Sequence, residues 1–248
     1  MTFGTGDGAP DPGVKAEFRR HAVALATTVP LEMQREFAEL DHDMSSGSDG
    51  ILMIDGLIGQ AAAEVFAVER LLSVDLAALT AFHHARALYE AHTVAHWTLQ
   101  SFGDRWPRVI KERQIERQRF ETAASTSIGP VATDITAEGK SLIEAADVKR
   151  LPSTFDMTRG NPILEFDHAF LWKYASSHLH PGNIYRARVS SGNQRSMIHQ
   201  IMYGSIRNAA GTYHAIAAAF HLPLAESMLE LEAAEAFSAP PMRTLRKR

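Results

Sequence analysis

Apolar residues recur at three- and four-residue spacing through most of this chain, whereas alternation of period two is nearly absent. That pattern predicts helices and almost no strand. A first helix is expected over about residues 14–40, broken or kinked at Pro30, since proline lacks the N–H and its ring crowds the preceding turn. The Ser, Gly and Asp run at 45–50 reads as a linker. From Ile51 the chain stays rich in Ala, Leu and Glu for more than fifty residues, too long for an average globular helix. Ser73 and Asp75, residues that cap helix starts, are expected to split it into helices over 51–72 and 76–102, the second closed by Gly103.

Asp104 and Pro107 then open a charged helix over 108–124, whose Lys111, Glu112, Arg113, Glu116, Arg117 and Arg119 read as a mostly solvated face. The Ser/Thr/Gly/Pro stretch 125–130 predicts a loop, residues 136–150 a modest helix, and 152–162 a second connection. A helix over 165–177 should stop at His180-Pro181-Gly182. Residues 193–221 predict a long helix rich in small side chains, and residues 224–237, after Pro223, an amphipathic last one. The expected fold is therefore all-α, a helical bundle of about seven or eight helices in one domain over residues 15–239. A disordered segment at 1–14 precedes it, and a basic tail at 240–248 follows.

Composition narrows the chemistry. A chain of 248 residues, 45% hydrophobic, can bury a sizeable core. Its net charge of -4 argues against an extended basic surface for nucleic acid, and specific DNA binding is not expected. With no cysteine there can be no disulfide, thiolate nucleophile or Cys-based metal site, so any metal would need His, Asp or Glu. No run is read as long and apolar enough to span a membrane, and residues 1–12 have no signal-peptide core, so a cytoplasmic location is expected. Phosphate loops, dinucleotide fingerprints and nucleophile elbows are missing, and the Gly-x-Gly pieces between Gly4 and Gly8 fall in the segment expected to be disordered. No cofactor is implied.

The densest polar punctuation of an apolar helix lies between His83 and Trp97. At about 100° per residue, His83, Arg86, Glu90, Thr93 and Trp97 form one stripe. Arg86 and Glu90, at i and i+4 among Ala, Leu and Val, predict a buried or cleft-facing ion pair. Such a pair either fixes helix register or holds a guanidinium fork for an anion, in which case His178 is a candidate for orientation by it. His178 and His180, at a helix end before Pro181, are candidates for a cleft.

Taken together, Arg86-Ala87-Leu88-Tyr89-Glu90, Leu151-Pro152-Ser153 and Tyr174-Ala175-Ser176-Ser177-His178-Leu179-His180-Pro181 resemble a large bacterial family of helical proteins of unknown function. That resemblance covers roughly residues 50–220 and implies an α-helical fold with a recurring polar cluster, and no activity. A looser resemblance is to the HEPN superfamily, helical bundles that often dimerise. Many members cleave RNA through an Arg followed by a polar residue and, a few residues on, a His.

Arg207-Asn208-Ala209-Ala210-Gly211-Thr212-Tyr213-His214 fits that pattern with six intervening residues, and Arg86 to His92 fits it with five. On a continuous helix Arg207 and His214 share a face with Gln200, Tyr203 and Gly211, whereas Arg86 and His92 sit about 120° apart. The resemblance thus implies a catalytic pair in Arg207 and His214, a homodimer, and RNA or a nucleotide as partner. The chemistry is consistent: an imidazole can draw the proton from a 2′-hydroxyl, and a guanidinium can stabilise phosphorane charge. Tyr203 and Asn208 are the adjoining candidates for ligand contact, Tyr203 by stacking or by orienting a phosphate. Two alternatives stand beside this. One is a non-catalytic interaction module or homodimer scaffold; the other is a metal-dependent bundle oxidase using the E-x-x-H at Glu165 and His168, which needs further carboxylates such as Glu64, Glu69 and Glu90.

Overall fold

The computed structural model describes residues 12–39, 47–73, 78–128, 141, 144–145, 147–174 and 194–223, and among these there is no strand. Chain order is α1 (Pro12–Ala26), α2 (Thr28–Glu39), α3 (Gly47–Leu72), α4 (Ala78–Leu99), α5 (Phe102–Ile128), α6 (Thr154–Thr158), α7 (Pro162–Asp167), a π-helical segment (His168–Tyr174) and α8 (Gln194–Phe220). The all-α bundle predicted by the pattern is the fold.

Pro30 acts upstream of itself. Its ring crowds the carbonyl four residues back, at Ala26, so α1 ends there and Pro30 sits in the first turn of α2, where its missing N–H costs nothing. Thr27 occupies the corner, its N–H and its hydroxyl both donating to the Val23 carbonyl at 3.0 and 2.8 Å. At this same end of α1 Tyr213 donates its hydroxyl to the Leu25 carbonyl at 2.8 Å, satisfying one of the open acceptors in the last turn.

The long apolar stretch does split beyond Leu72, where Ser73 turns its hydroxyl back onto the Arg70 carbonyl. Two neighbouring boundaries differ from expectation. Gly47–Gly50 are helical, the first turn of α3 rather than linker. Between α4 and α5 the break falls at Gln100 and Ser101, and Gly103 lies inside α5. Ser101 starts the new helix: its carbonyl takes the Arg105 N–H at 3.0 Å and its hydroxyl donates to Asp104. Arg105 closes the old one by donating to the Trp97 carbonyl.

Helices α1, α3, α4 and α8 enclose the core, with α4 packed along α3 on one flank and α8 on the other. Phe82, Leu88 and Tyr89 of α4 meet Met53, Ile54, Leu57 and Ile58 of α3 and Ile201, Ile206, Tyr213 and Ile216 of α8, all buried. Each fully buried side chain of this size contributes about 1.5–3 kcal/mol. Phe220 pins the end of α8 by edge-to-face contacts with Phe37 of α2 and Phe102 of α5, at 5.2 and 5.6 Å between centroids. The helix stops with His221 in the left-handed region, φ 53°, and the Leu222 N–H returning to the Ala217 carbonyl at 2.9 Å.

One stretch of α3, Gly50–Leu72, is by length and composition apolar enough to cross a membrane, contrary to the expectation that no run is. Its inner face, from Met53 to Val68, is part of the core. The charged helix α5 also departs from expectation. Glu116, Arg117 and Arg119 are exposed, but Lys111 is buried and donates to the carbonyls of Ala145 and Val148, while Glu112 pairs with Arg150. Residues 145 and 147–150 are consequently not helical but strap the chain to α5. A short helix, α6, capped by Ser153, stands in the predicted connection 152–162. The predicted helix 224–237, the segment 1–11 and the tail 240–248 lie outside the described residues.

Candidate functional site

The site begins with a cap. Asn161 accepts from the N–H groups of Ile163 and Leu164 at 3.1 and 3.2 Å, and Pro162, with its fixed φ, takes the first helical position of α7. Gly160, at φ 83°, makes the turn into it and donates its N–H to Glu165 at 2.9 Å. This fixes α7 so that Asp167, at its end, is buried against α8.

There Asp167 receives both arms of the Arg207 fork, Nε to Oδ2 at 3.2 Å and Nη2 to Oδ1. Asn208 donates one amide hydrogen to the same carboxylate at 2.8 Å and the other to the Gly204 carbonyl at 2.7 Å. Its oxygen faces Nδ1 of His92 on α4 at 2.9 Å. Four side chains from three elements thus form one chain, Arg207, Asp167, Asn208, His92. Burial raises the Asp167 carboxyl, while the Arg207 guanidinium and the Asn208 amide favour its charged form. Burial lowers the His92 imidazole to about 4, and the charges of His96, Arg207 and His214 act in the same direction.

Glycine allows this contact. A Cβ on Gly211 would lie 2.3 Å from Cε1 and 2.4 Å from Nε2 of His92, so the ring occupies the notch that the missing side chain leaves on α8. Gly204 takes Leu171 of the π segment in the same way, at 3.1 Å.

Beside the chain opens a cleft of about 630 Å³. Its polar lining is His92, His96, Gln100, Asn161, Arg207 and His214; Leu99, Ile163, Gly211 and the alanines of α8 give the remainder. His214 is exposed, and Arg207 keeps 30% of its side chain open, with Nη1 donating to none of the described residues. His96 accepts from the Gln100 amide at 2.9 Å, and burial together with Arg105 lowers it. The cleft therefore joins a guanidinium, an exposed imidazole and two imidazoles held neutral, a set able to bind an anion and to move a proton beside it.

The sequence candidates separate on this geometry. Arg207 and His214 come together on one open wall. Asn208 is close by but fully buried and holds Asp167 and His92, so it supports the site from behind rather than touching a ligand. Tyr203 is not among the residues lining the cleft and lies against His199, ring centroids 6.2 Å apart. Arg86 and Glu90 do pair, at 2.8 Å, but away from the cleft and half-exposed, with Arg86 stacked over Trp172 at 5.1 Å. Of these two arginines it is Arg207 whose carboxylate partner, Asp167, is buried. Along the predicted stripe, Thr93 and Trp97 are buried and His83 is exposed, because α4 is covered on two flanks. His178 and His180 lie outside the described residues.

The E-x-x-H reading is divided as well. Glu165 serves Gly160 at the surface, whereas His168 is buried, sharing a 2.9 Å hydrogen bond with the Tyr89 hydroxyl and stacking on Trp172 at 5.1 Å. Among the described residues no group of three or more His, Asp or Glu side chains is placed to hold a metal. His96, Gln100, Asn161 and Asp167 are polar members of the site that the sequence did not single out, and His92 entered the sequence reading only as the diverging match to Arg86. Compared with protein-family models, characterised proteins and solved structures, the chain matches none.

Proposed function

We propose that the cleft between α4, α7 and α8 binds a phosphate-bearing ligand of the nucleotide or RNA class and acts on it by imidazole acid–base chemistry. The observation that carries this reading is the convergence of Arg207 and His214 on one open cleft that also receives His96. Arg207 offers Nη1 to a phosphate oxygen, its other arms being held by Asp167, so the guanidinium is preorganised rather than recruited. His214 is the exposed imidazole of the set, placed to take a proton from an attacking hydroxyl and return it to the leaving oxygen. The HEPN-like Arg207 to His214 spacing supports the same assignment. Incubation with RNA in EDTA tests it: cleavage is expected with the parent protein and is expected to fall about 100-fold in His214→Ala, whose melt should stay that of the parent. Intact RNA together with no retention of an oligoribonucleotide overturns the proposal.

An interaction surface is the second reading. Phe155, Ile163 and Phe166 leave apolar area exposed on α6 and α7 next to the cleft, and a second copy of the chain covering them would form the homodimer expected from the sequence. Sedimentation of Phe155→Ser/Phe166→Ser beside the parent tests this, and a monomeric parent removes it.

A further inference from the structure

His92 fits the Arg-to-His spacing only with Arg86, from which it diverges on the helix, yet its hydrogen bonding fixes which ring nitrogen carries the proton. Asn208 spends both amide hydrogens, on Asp167 and on the Gly204 carbonyl. Only its oxygen is left for His92, so Nδ1 of the imidazole must carry the hydrogen and donate. A neutral imidazole with hydrogen on Nδ1 has a bare lone pair on Nε2. Burial keeps the ring neutral down to about 4, so this state holds across the physiological range. The Cε1–Nε2 edge lies in the Gly211 notch, and both residues line the cleft. Nε2 has no hydrogen-bond partner among the described residues.

We infer that His92 is a specificity residue, an acceptor at the floor of the cleft that cannot donate, and that the ligand must present a hydroxyl donor beside its phosphate. The inference rests on the proposed function and deepens it. Asp167 and Asn208 are positioning residues: they act on the ligand through His92 and Arg207. An acceptor of this kind discriminates by penalty. A ligand that places an ether oxygen or a methylene there leaves the lone pair buried and unpaired, a loss that binding elsewhere does not recover.

Three oligonucleotides of one sequence test this by equilibrium binding: ribo, 2′-deoxy and 2′-O-methyl, the last keeping the oxygen while removing the donor. The parent protein is expected to bind the ribo form about tenfold or more above both others. Asn208→Ala, which frees the tautomer, is expected to narrow the ratio of ribo to 2′-deoxy affinity, the quantity read, even where both affinities fall because Asp167 and Arg207 lose a support. Equal affinity for the three probes in the parent overturns this inference and leaves the proposed function standing. Binding of none of them overturns the proposed function itself. Imidazole nitrogen NMR shifts of the parent protein give a test that needs no variant. Nε2 of His92 should show the unprotonated, pyridine-like shift at neutral pH, and a protonated Nε2 overturns the inference whatever the binding data.

Discussion

The imidazole of His92 rests where Gly211 has no side chain, closer to the α8 backbone than any Cβ would permit. Helices α4 and α8, the most extensively packed pair, meet over this contact, so it sets both the approach of the two helices and the position of a cleft residue. Substituting Gly211 therefore sets two effects against each other. Alanine favours a helix interior over glycine by about 1 kcal/mol, but here its methyl would overlap an imidazole whose other edge is tied to Asn208.

Gly211→Ala is expected to lower stability by about 1–3 kcal/mol, because strain from overpacking exceeds the propensity gain. Gly59 is the control: it lies in α3 with nothing within 4 Å of its added Cβ. Gly59→Ala should raise stability by up to about 1 kcal/mol. Urea denaturation of both variants checks the pair, and a stabilised Gly211→Ala would show that the notch is not required.

Stability should also depend on pH through His92. Above its ordinary value of 6.5 the imidazole is neutral in both the folded and the unfolded chain, and it contributes no slope. Between 6.5 and about 4 the unfolded chain takes up a proton that the folded one refuses, so stability falls as pH drops, by about 3 kcal/mol in all. The neighbours facing His92 are His96 and His214, Arg207, and Asp167 through Asn208. His96, also lowered, adds to the acid loss, whereas Asp167, raised by burial, opposes it. Denaturation midpoints of the parent and His92→Gln, measured from pH 7 to pH 4, isolate the His92 share. A difference between the two that does not change with pH would refute it.

Local signals were legible in the sequence, and distant pairings were not. The break beyond Leu72, the span of α8 and the Arg86 to Glu90 pair all follow from residues within one or two turns. Where two local signals compete, the one that supplies a hydrogen-bonded helix start wins. Gly103 reads as a helix stop, but Ser101 with Asp104 makes a stronger start two residues earlier. The Arg86 to Glu90 spacing says nothing of burial, which depends on Trp172 approaching from another element. Asp167 sits between Glu165 and His168, the two positions that the metal reading selected. Its role depends on Arg207 forty residues on, and no period marks that. His92 diverges from Arg86 on its own helix, and its partner Asn208 is 116 residues away.

Tyr213→Phe isolates one buried hydrogen bond with little change of shape. The hydroxyl satisfies the Leu25 carbonyl at the end of α1, and both groups are buried. Burial raises the Tyr213 phenol far above its usual range, so it stays a donor at every accessible pH. Its loss should cost about 1–3 kcal/mol, the penalty for an unpaired buried acceptor, with no change in ligand binding at the cleft. Melts and oligonucleotide binding measured on the same variant check both halves.

The two ion pairs should respond very differently to truncation. Glu90 is half-exposed, so Arg86→Ala leaves a carboxylate that water can still solvate, and the expected cost is about 1 kcal/mol or less, with part of it from the lost contact on Trp172. Asp167 is buried beneath Arg207. Arg207→Ala should strand it at about 3–5 kcal/mol, offset in part by the Asn208 amide that remains. Adding Asp167→Asn to Arg207→Ala removes the stranded charge and should recover part of that stability, whereas phosphate affinity should not return, because the guanidinium is still missing. Denaturation of the two single variants and the double variant, read beside oligonucleotide binding, separates the structural role of Arg207 from its ligand role. A double variant no more stable than Arg207→Ala would mean that the cost lies in lost packing against Phe166 instead of in the uncompensated carboxylate.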